Sequence, residues 1–509
     1  MKSSGDTCPI SRWTQLSTHP LRMRAFMDDQ EDKRVCHECI GDSSLAHEVR
    51  SAGENAACAY CEQTRETISL EDLADRIHEV LERDFYRTPA DPHGYELAMA
   101  SDIGWERAGD RVEYVIADVA GLDEPIARDV RELLSDRFGY EATKEGEEDP
   151  YDDQACYEEK GPDEWDFRES WDFFRSQVRF RSRFFNPHAQ RALDEIFGDL
   201  GSLHNHEGTP AIREIMPADE SRYVYRARVA FSNEGLTSIL TDPVKGLGPP
   251  PSRQAKAGRM NPAGVSVFYG ARDKETCIAE ARAPVGSCVV IGRFEIIRPV
   301  RLLDFDVLTQ VVVKGSHFDP GFHTRYGRAA FLDRLVREIS RPVLPRDEEF
   351  EYLPTQAVSE YLASCVEPRL DGILFHSSQT AGTGRNIVLF NHARRIEPYD
   401  LPDGTEIQFM KGEGPEEDYE DSITIFEAIP PDKPKTSEST DFDPASFLLG
   451  SESPAPRPDD GDDDLWHRDA TLRLDAGGIR VLLIRAVSYK HRERSLRRYR
   501  RQKLESEPF

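Results

Sequence analysis

Two Cys-x2-Cys pairs constrain the N-terminal part of this chain more than any other feature. Cys36 and Cys39 form the first pair, Cys58 and Cys61 form the second, and eighteen residues separate the pairs. Each pair spans one tight turn, so two thiolates can face the same ion, and two such turns provide a closed tetrahedral site for Zn²⁺. Because four protein ligands leave no position for a substrate water, residues 34–64 are predicted to form a structural zinc knuckle.

Two alternatives to this zinc site stay open. His37 lies inside the first pair and can replace one thiolate as a ligand, or the four cysteines are buried without a metal. A disulfide framework is not indicated. The nine cysteines are odd in number and unevenly spread, and residues 1–12 lack the apolar core of a signal peptide.

The length and composition of the chain indicate several domains and no membrane span. A chain of 509 residues is too long for one hydrophobic core. Hydrophobic residues make up 38% and charged residues 31%, and no apolar run reaches the ~18–20 residues that a membrane helix needs. We therefore expect a cytoplasmic protein without a membrane partner.

Residues 65–205 are predicted to form an α-helical bundle. Ser69 precedes apolar residues at helical spacing, which predicts a capped helix. Further helices are predicted near Pro125, around Trp171 and after Asn186, which stands before a proline and is suited to cap its helix.

Two other N-terminal segments lack a helical pattern. Residues 1–33 are polar and are predicted to be disordered. Apolar residues alternate over 112–116, which indicates a strand or an extended loop.

The pattern changes after residue 210 to alternating strands and helices, which predicts a compact α+β domain over residues 210–402. Predicted strands cover residues 223–231, 265–269, 288–296, 301–305 and 387–390. Predicted helices cover residues 273–283, 323–340 and 354–367. The fold class is therefore multidomain, with a zinc knuckle, a helical bundle and an α+β domain in that order.

The C-terminal part is predicted to contain little regular structure. Residues 403–465 are rich in Pro, Ser, Asp and Glu and form a predicted disordered acidic linker. Residues 466–509 combine short strands, with a hairpin around 475–478, and a basic tail. The net charge of −29 repels nucleic acid, except where a basic patch such as this tail reverses the sign. The tail therefore either binds nucleic acid or docks onto the acidic stretches 413–421 and 459–464 of the same chain.

Four residues of the α+β domain are suited to a ligand that contains pyrophosphate. Arg226 and Arg259 offer forked donors to phosphate oxygens. Tyr269 can stack on a flat ring. Glu280 can hold a ribose hydroxyl and stabilise positive charge that develops on the anomeric carbon.

Neighbouring residues can complete such a pocket. Asn261 and Ser377 are polar, and the glycines at 258, 264, 382 and 384 allow backbone to approach a ligand closely. Each residue alone has a structural interpretation, because a strand arginine or a helix glutamate usually faces solvent and a tyrosine usually packs in a core. Their combination is what favours a ligand site.

In order and spacing these stretches resemble the RES domain family. The resemblance rests on the Tyr-Arg-Ala-Arg strand at 225–228, the Gly-Arg-x-Asn-x-x-Gly turn at 258–264, the spacing from Tyr269 to Glu280, and the closing segment 371–390. It implies a fold similar to that of ADP-ribosyltransferases and an enzyme that binds NAD⁺. Such proteins cleave the nicotinamide–ribose bond by hydrolysis or phosphorolysis and act as bacterial toxins that an antitoxin restrains.

The resemblance also implies roles for the site residues. Arg226 and Arg259 would bind phosphates, Tyr269 would face the nicotinamide half, Glu280 would be catalytic and Ser377 would line the site. The sequence departs from the family in two places. Met260 stands where many members have Trp or Phe, and the insert 246–251 is predicted to form a lid or rim over the pocket.

The helical region is similar to the HEPN-like domains that precede some RES domains. Arg183 and His188 fit the Arg-x4–6-His pattern of HEPN ribonucleases, in which the pair polarises a phosphate and moves a proton. The alternative is an ion-paired Arg183 and a His188 in the first turn of a helix. A HEPN ribonuclease with a RES domain that only binds its ligand, and transfer of ADP-ribose to a macromolecule, are therefore the alternatives to NAD⁺ cleavage.

Overall fold

The computed structural model describes residues 33–92, 105–399, 401–402, 404–411, 423–430, 469–488 and 491–500. Almost all of the predicted disordered segment 1–33, most of the linker 403–465 and the two acidic stretches lie outside these residues. The chain forms two compact units. The first contains residues 1–168 and 312–331, and the second contains residues 169–311 and 332–509.

The first unit begins with a small antiparallel sheet that carries the cysteine pairs. Strands β1 (Arg34–Cys36), β3 (Thr64–Ser69) and β2 (Glu54–Ala57) lie in that order, and helix α1 (Ser43–Ala52) connects β1 to β2. The Asp42 carboxylate accepts from the backbone N–H groups of Ser44 and Leu45 and caps α1. A second antiparallel sheet, not predicted from the sequence, contains β4 (Phe85–Arg87), β6 (Cys156–Glu159) and β5 (Asp110–Arg111).

The predicted helix after Ser69 is confirmed. Helix α2 (Leu70–Asp84) begins where the Ser69 hydroxyl accepts a hydrogen bond from the N–H of Asp72 at 3.0 Å. Its apolar face is buried in the core of the first unit, against α3 (Val112–Ala120) and α4 (Glu124–Glu145). The helix predicted near Pro125 is α4.

The strand or extended loop predicted over residues 112–116 was wrong, because this segment belongs to α3. Val112, Val115 and Ile116 are buried, whereas Tyr114 is 60% exposed. This spacing is that of a helix with one buried face, and the alternation in the sequence was too short to distinguish the two periods. Gly121, with φ +62°, ends the helix in the left-handed conformation.

Two helices of the predicted bundle pack within the second unit. Helix α5 (Trp165–Phe180) starts in the first unit and continues into the second, and α6 (Pro187–Phe197) begins after Asn186, whose side chain accepts from the N–H groups of His188 and Ala189. Helix α6 lies against α13 (Leu353–Ser364), where the Tyr361 hydroxyl donates to Asp194 Oδ1 at 2.7 Å.

The second unit is built on an eight-stranded sheet. Its strands in chain order are β7 (Ile212–Ile215), β8 (Tyr223–Ala230), β9 (Phe268–Ala271), β10 (Cys288–Ile296), β11 (Val300–Asp304), β12 (Gly372–His376), β13 (Arg385–Leu389) and β16 (Leu472–Leu483). Their order in the sheet is β16-β10-β8-β9-β13-β12-β11-β7. All neighbours are antiparallel except β11 and β12, which are parallel.

Helices cover both faces of this sheet. Helices α7 (Asn233–Thr241) and α8 (Pro243–Leu247) pack on the face that carries Phe268 and Phe294. Helix α9 (Lys274–Ala281) packs on the opposite face, through Cys277. The remaining helices are α10 (Phe305–Leu308), α11 (Phe322–Ile339), which runs from the first unit into the second, and α12 (Glu348–Glu351).

The hairpin predicted around residues 475–478 was wrong. Residues 472–483 form β16, whose two ends, 472–475 and 480–483, both pair antiparallel with β10, while residues 476–479 between them have no partner in β10 and form a bulge opposite Gly292. Gly477 and Gly478 lie in this bulge, and the chain continues in the same direction on both sides of it, so no hairpin forms. The predicted domain boundary at 402 therefore leaves out an edge strand of the sheet that the α+β domain is built on.

Part of the predicted disordered linker is ordered. Strands β14 (Glu406–Lys411) and β15 (Ile423–Ala428) form a separate antiparallel pair. Residues 491–500 of the basic tail are exposed and have no regular secondary structure. Among the described residues, no helix has both the length and the apolar character that a membrane crossing requires.

The edge strand β16 yields a stability prediction. Leu472 is fully buried, whereas Leu483 on the same strand is 53% exposed. Leu472→Ala should lower the free energy of unfolding of the second unit by about 2–5 kcal/mol, because it leaves a cavity in the core. Leu483→Ala is the matched control and should change it by less than about 0.5 kcal/mol. Guanidinium unfolding measures both, and equal small effects would contradict the place of β16 in the core.

Candidate functional site

A pocket of about 350 Å³ lies in the second unit, where strands β8 and β9 diverge. The two strands pair only at Tyr225 and Ala271, so the space beside this point is open. Charged and polar residues on its wall include Arg226, Arg228, Arg259, Tyr269, Glu280, Arg282, Tyr352, His376, Ser378 and Asn386. Four of these side chains are arginines, and Glu280 is the single carboxylate among the lining residues.

Glu280 is fixed by two hydrogen bonds to one of its oxygens. The Ser377 hydroxyl donates to Oε1 at 2.6 Å, and the Asn386 side-chain amide donates to the same atom at 2.7 Å. Within the described part of the chain, Oε2 has no hydrogen-bond donor and can face a ligand. The carboxylate is therefore oriented before any substrate binds.

The segment that carries Ser377 approaches α9 closely. The backbone N–H of Ser377 donates to the carbonyl of Gly384 at 2.8 Å, which closes the loop between β12 and β13. A Cβ atom at Gly384 would overlap the Thr276 side chain of α9, so this position requires glycine. This glycine serves packing between protein elements, whereas the sequence suggested approach to a ligand.

Ser377 lies behind Glu280 and does not line the pocket. Its side chain is fully buried, and its hydroxyl is used by Glu280 and by the N–H of Gln379. The expectation that Ser377 lines the site therefore needs correction. The geometry makes it a positioning residue for the carboxylate.

Arg226 is a buried cation with an unused donor. It is 5% exposed, its Nη1 donates to the carbonyl of Tyr269 at 2.6 Å, and its Cζ lies 5.2 Å from the centre of the Phe268 ring. Its Nε is buried without a hydrogen-bond partner among the described residues. Burial, and then the charge of Arg228, hold the pKa of the Arg226 guanidinium well below its usual range. An anion in the pocket would offset both costs.

Arg259 lines the pocket, but its fork is engaged by the protein. Its Nη1 donates to the carbonyl of Ile339, the last residue of α11. Its Nη2 donates to the carbonyl of Arg341, two residues further along the chain, at 2.7 Å. The Tyr352 ring lies under its Cζ at 5.2 Å. A phosphate that binds Arg259 has to compete with these carbonyls.

Asn261 organises the turn 258–264 and is not on the pocket wall. Its side-chain amide donates to the carbonyls of Lys256, Pro262 and Val265 at 2.8–3.1 Å, and it is 3% exposed. Its Oδ1 accepts from the Tyr269 hydroxyl at 2.9 Å. The direct role in ligand binding that was predicted for Asn261 is therefore not what the geometry provides.

Tyr269 contributes its ring to the pocket and its hydroxyl to the turn. The hydroxyl accepts from the N–H of Met260 at 3.0 Å and donates to Asn261. Burial raises the pKa of Tyr269 to about 12, so the phenol stays neutral. Gly258 permits this packing, since a Cβ atom there would lie 2.8 Å from the Tyr269 hydroxyl.

Helix α13 holds the same turn from the other side. Three side chains of α13 donate hydrogen bonds to three consecutive backbone carbonyls of the turn. Gln356 donates to the carbonyl of residue 258 at 2.8 Å, Thr355 to that of 259 at 2.7 Å, and Ser359 to that of 260 at 2.8 Å. These three polar residues are buried. Their role was not predicted from the sequence, although three polar positions on one helix face were an available signal.

Several pocket residues were also missed. Arg228 stands two residues after Arg226 on β8 and donates to the carbonyl of Gly248 at 3.0 Å. His376 lies at the end of β12, with its Nε2 2.9 Å from Asp306 Oδ1. Nothing in the local sequence links His376 to Asp306, because the parallel pairing of β11 and β12 brings them together.

The insert 246–251 does not form the predicted lid. Leu247 is fully buried in the main core, and the carbonyl of Pro250 accepts from the Ser266 hydroxyl at 2.6 Å. The insert therefore packs as part of the domain, and the Gly248 carbonyl positions Arg228.

The cysteine pairs come together in the first unit. The Sγ atom of Cys36 lies 3.6 Å from those of Cys39 and Cys61, and the Sγ atoms of Cys39 and Cys58 are 3.9 Å apart. Zn–S bonds of about 2.3 Å in a tetrahedron separate sulfurs by about 3.8 Å, so the four thiolates fit this ion.

The surroundings act differently on the individual cysteines, since burial raises the pKa of the Cys39 thiol whereas Cys58 is shifted towards its thiolate. Burial by itself would raise the pKa of the Cys58 thiol, but backbone N–H groups of Cys61, Tyr60 and Cys36 outweigh it and lower the pKa to about 7. The ring of His37 points elsewhere, with Nδ1 3.3 Å from the carbonyl of Glu66. The four cysteines are thus a possible zinc site, and His37 is not part of the group.

Arg183 and His188 are both exposed and make no contact with each other among the described residues. His188 Nδ1 lies 2.6 Å from Arg191 Nη2. The role of the two residues as a ribonuclease pair stays a prediction.

The fold and the pocket define a class, namely an α+β domain that follows a helical region and carries four arginines and one fixed carboxylate on the wall of a pocket. Residues 224–407 match the RES domain family, and residues 51–192 match HEPN/RES N-terminal domain 1. The order of the two matches, with the helical domain first and the RES domain second, is the order that the sequence resemblance predicted. No curated protein and no solved structure matches it.

The cysteine geometry predicts one bound Zn²⁺ per chain at this cluster. Cys58→Ser should lose that equivalent and lower the melting temperature of the first unit, because a structural zinc contributes directly to folding. Cys365→Ser is the control, since Cys365 is exposed and distant in sequence. Elemental analysis and thermal unfolding measure both effects. Unchanged zinc content in Cys58→Ser would remove the cluster as a zinc site.

Proposed function

We propose that the chain is an NAD⁺-consuming effector of the RES type that cleaves the bond between nicotinamide and ribose. The observation that carries the proposal is the pocket in which four arginines surround one oriented carboxylate. Such a site complements a ligand with a diphosphate and a ribose that gains positive charge during the reaction.

The arginines suit the diphosphate of NAD⁺. Arg226 has an unused buried donor, and Arg228 and Arg282 lie on the same wall. A bound phosphate would give the Arg226 Nε a partner and would restore its ordinary pKa, because the anion compensates for burial. Arg259 would exchange its carbonyl contacts for phosphate oxygens. The diphosphate thereby anchors the molecule beside the carboxylate.

Glu280 acts on the ribose. When the C–N bond breaks, its electron pair goes to the nicotinamide nitrogen, and positive charge develops on the ribose carbon and ring oxygen. The free Oε2 of Glu280 stabilises that charge or holds a ribose hydroxyl. Ser377 and Asn386 keep the carboxylate in place from behind. The Tyr269 ring provides a flat surface for the nicotinamide half.

Water or phosphate then attacks the ribose carbon. Attack by water requires loss of one proton, and His376, oriented by Asp306, is a base on the pocket wall. The products would be nicotinamide with ADP-ribose after hydrolysis, or with its 1″-phosphate after phosphorolysis. Transfer to a macromolecule has no separate support here, and the exposed, separated Arg183 and His188 give none to a HEPN ribonuclease.

Loss of NAD⁺ harms the cell that contains the enzyme. We therefore propose that a regulatory protein, such as an antitoxin, restrains this activity, as the family resemblance implies.

The carboxylate is the most direct test of the reaction. Glu280→Gln should lower the rate of NAD⁺ loss by roughly 10²–10³-fold, because an amide cannot stabilise the developing charge. The amide oxygen can still accept from Ser377 and Asn386, so the fold should persist. Glu275→Gln, on the exposed side of the same helix, is the control and should keep the wild-type rate. Equal rates for Glu280→Gln and wild type would reject this site.

Ligand binding tests the role of Arg226 separately. Arg226→Met keeps the volume and removes the buried charge, so the unliganded protein should melt at or above the wild-type temperature. ADP-ribose should bind about ten- to a hundredfold more weakly, which corresponds to about 1.5–3 kcal/mol for a charged hydrogen bond.

The matched control is Arg301→Met, since Arg301 pairs with Glu214 away from this pocket. Its ADP-ribose affinity should equal that of the wild type. If Arg226→Met binds ADP-ribose as tightly as the control, the diphosphate does not contact Arg226.

A further inference from the structure

The first unit contains a second group of metal-ligand side chains, separate from the cysteines. Asp84 is the last residue of α2, His317 precedes α11, and His323 is in the first turn of α11. One donor atom from each lies within 4.8 Å of the others. Asp84 is 5% exposed, so a buried carboxylate lies at the centre of the group.

Both imidazoles point at the same carboxylate oxygen. His317 Nδ1 lies 2.9 Å from Asp84 Oδ2, and His323 Nε2 lies 3.3 Å from it. Ligand atoms at about 2.0–2.2 Å from a zinc ion stand about 3.3–3.6 Å apart in a tetrahedron and about 2.8–3.1 Å apart at right angles, so both separations are compatible with ligands of one ion. The third separation, between the donor atoms of the two imidazoles, is within 4.8 Å.

His323 supplies an independent indication of a missing partner. Its Nε2 is buried and has no hydrogen-bond partner in the described part of the chain, although Asp84 is near. An imidazole protonated on Nδ1 would direct its Nε2 lone pair into the group. A cation between the three side chains would give that lone pair its partner.

The surrounding side chains are placed as outer-shell partners of a metal site. His317 Nε2, on the far side of its ring, lies 3.9 Å from Glu159 Oε1, and a carboxylate in this position commonly fixes a metal-bound histidine. Arg83 holds Asp84 through Nε at 2.9 Å from Oδ1 and Nη2 at 3.0 Å from Oδ2. The positive charge of Arg83 opposes a cation, and the charges of Asp84 and Glu159 compensate for it.

An ion pair between Arg83 and Asp84 alone does not explain the group. That pair already satisfies the carboxylate, yet two histidines from another part of the chain converge on it. We propose that Asp84, His317 and His323 bind a divalent first-row transition metal of the zinc class. Imidazole and carboxylate together select such ions over Mg²⁺ or Ca²⁺. Three protein ligands leave a position for water, unlike the closed cysteine site.

Metal stoichiometry of the full-length chain tests the proposal. Metal-free protein is titrated with Co²⁺ and with Zn²⁺, and bound metal is counted after dialysis. His323→Gln should bind one equivalent fewer than wild type. Its Co²⁺–thiolate absorption should stay unchanged, because that signal comes from the cysteines. His47→Gln, an exposed histidine of α1, is the control and should match the wild type.

A milder variant keeps the test valid if His323→Gln fails to fold. Glu159→Gln alters only the outer shell and should weaken the second equivalent about 10–100-fold. Circular dichroism reports the fold of each variant. The proposal is overturned if wild type and folded His323→Gln bind the same number of ions, or if Glu159→Gln leaves the affinity of every equivalent unchanged.

Discussion

The two hydrogen bonds that Ser377 and Asn386 donate to one oxygen of Glu280 are the contact on which the site depends. They join helix α9 to the ends of β12 and β13, which are about a hundred residues further along the chain. The antiparallel pairing of β13 with β9 then sets the distance from this carboxylate to Tyr269 and the turn 258–264. The pocket wall is therefore assembled from segments that lie far apart in the sequence.

The arginines give the pocket its second physical property, because burying their positive charge without an anion is energetically unfavourable. Arg226 is buried beside Arg228 with an unpaired nitrogen, and its pKa is lowered by burial. A bound diphosphate would offset the unfavourable burial of this guanidinium, and this contributes to the free energy of binding. The turn that carries Arg259 is held by hydrogen bonds from α13, so the backbone of this turn is preorganised.

The sequence predicted best what depends on neighbouring residues. Ser69 and Asn186 cap their helices as expected, since a cap needs only the next three residues. The prediction for residues 112–116 was wrong because, over five residues, the apolar repeat of a strand (every second residue) and that of a helix (every 3.6 residues) cannot be distinguished. The glycines of β16 suggested a turn, whereas the strand is specified by its partner β10, which local sequence cannot show.

The same limit applies to the candidate sites. Residue type and order indicated Arg226, Tyr269 and Glu280, and the pocket contains all three. Whether Ser377 and Asn261 face the ligand or support other residues depends on packing, and both support. The convergence of His317 and His323 on Asp84 was invisible, because more than two hundred residues separate them in the sequence.

The most direct test of the central claim is the fate of NAD⁺ in ¹⁸O-enriched water with purified full-length protein, followed by NMR for nicotinamide and by mass spectrometry for the ribosyl product. The proposed cleavage yields equal amounts of nicotinamide and of ADP-ribose carrying one ¹⁸O at the anomeric position, or of nicotinamide and the unlabelled 1″-phosphate when phosphate is the acceptor. Intact NAD⁺ after prolonged incubation with folded protein, with and without phosphate, would contradict it.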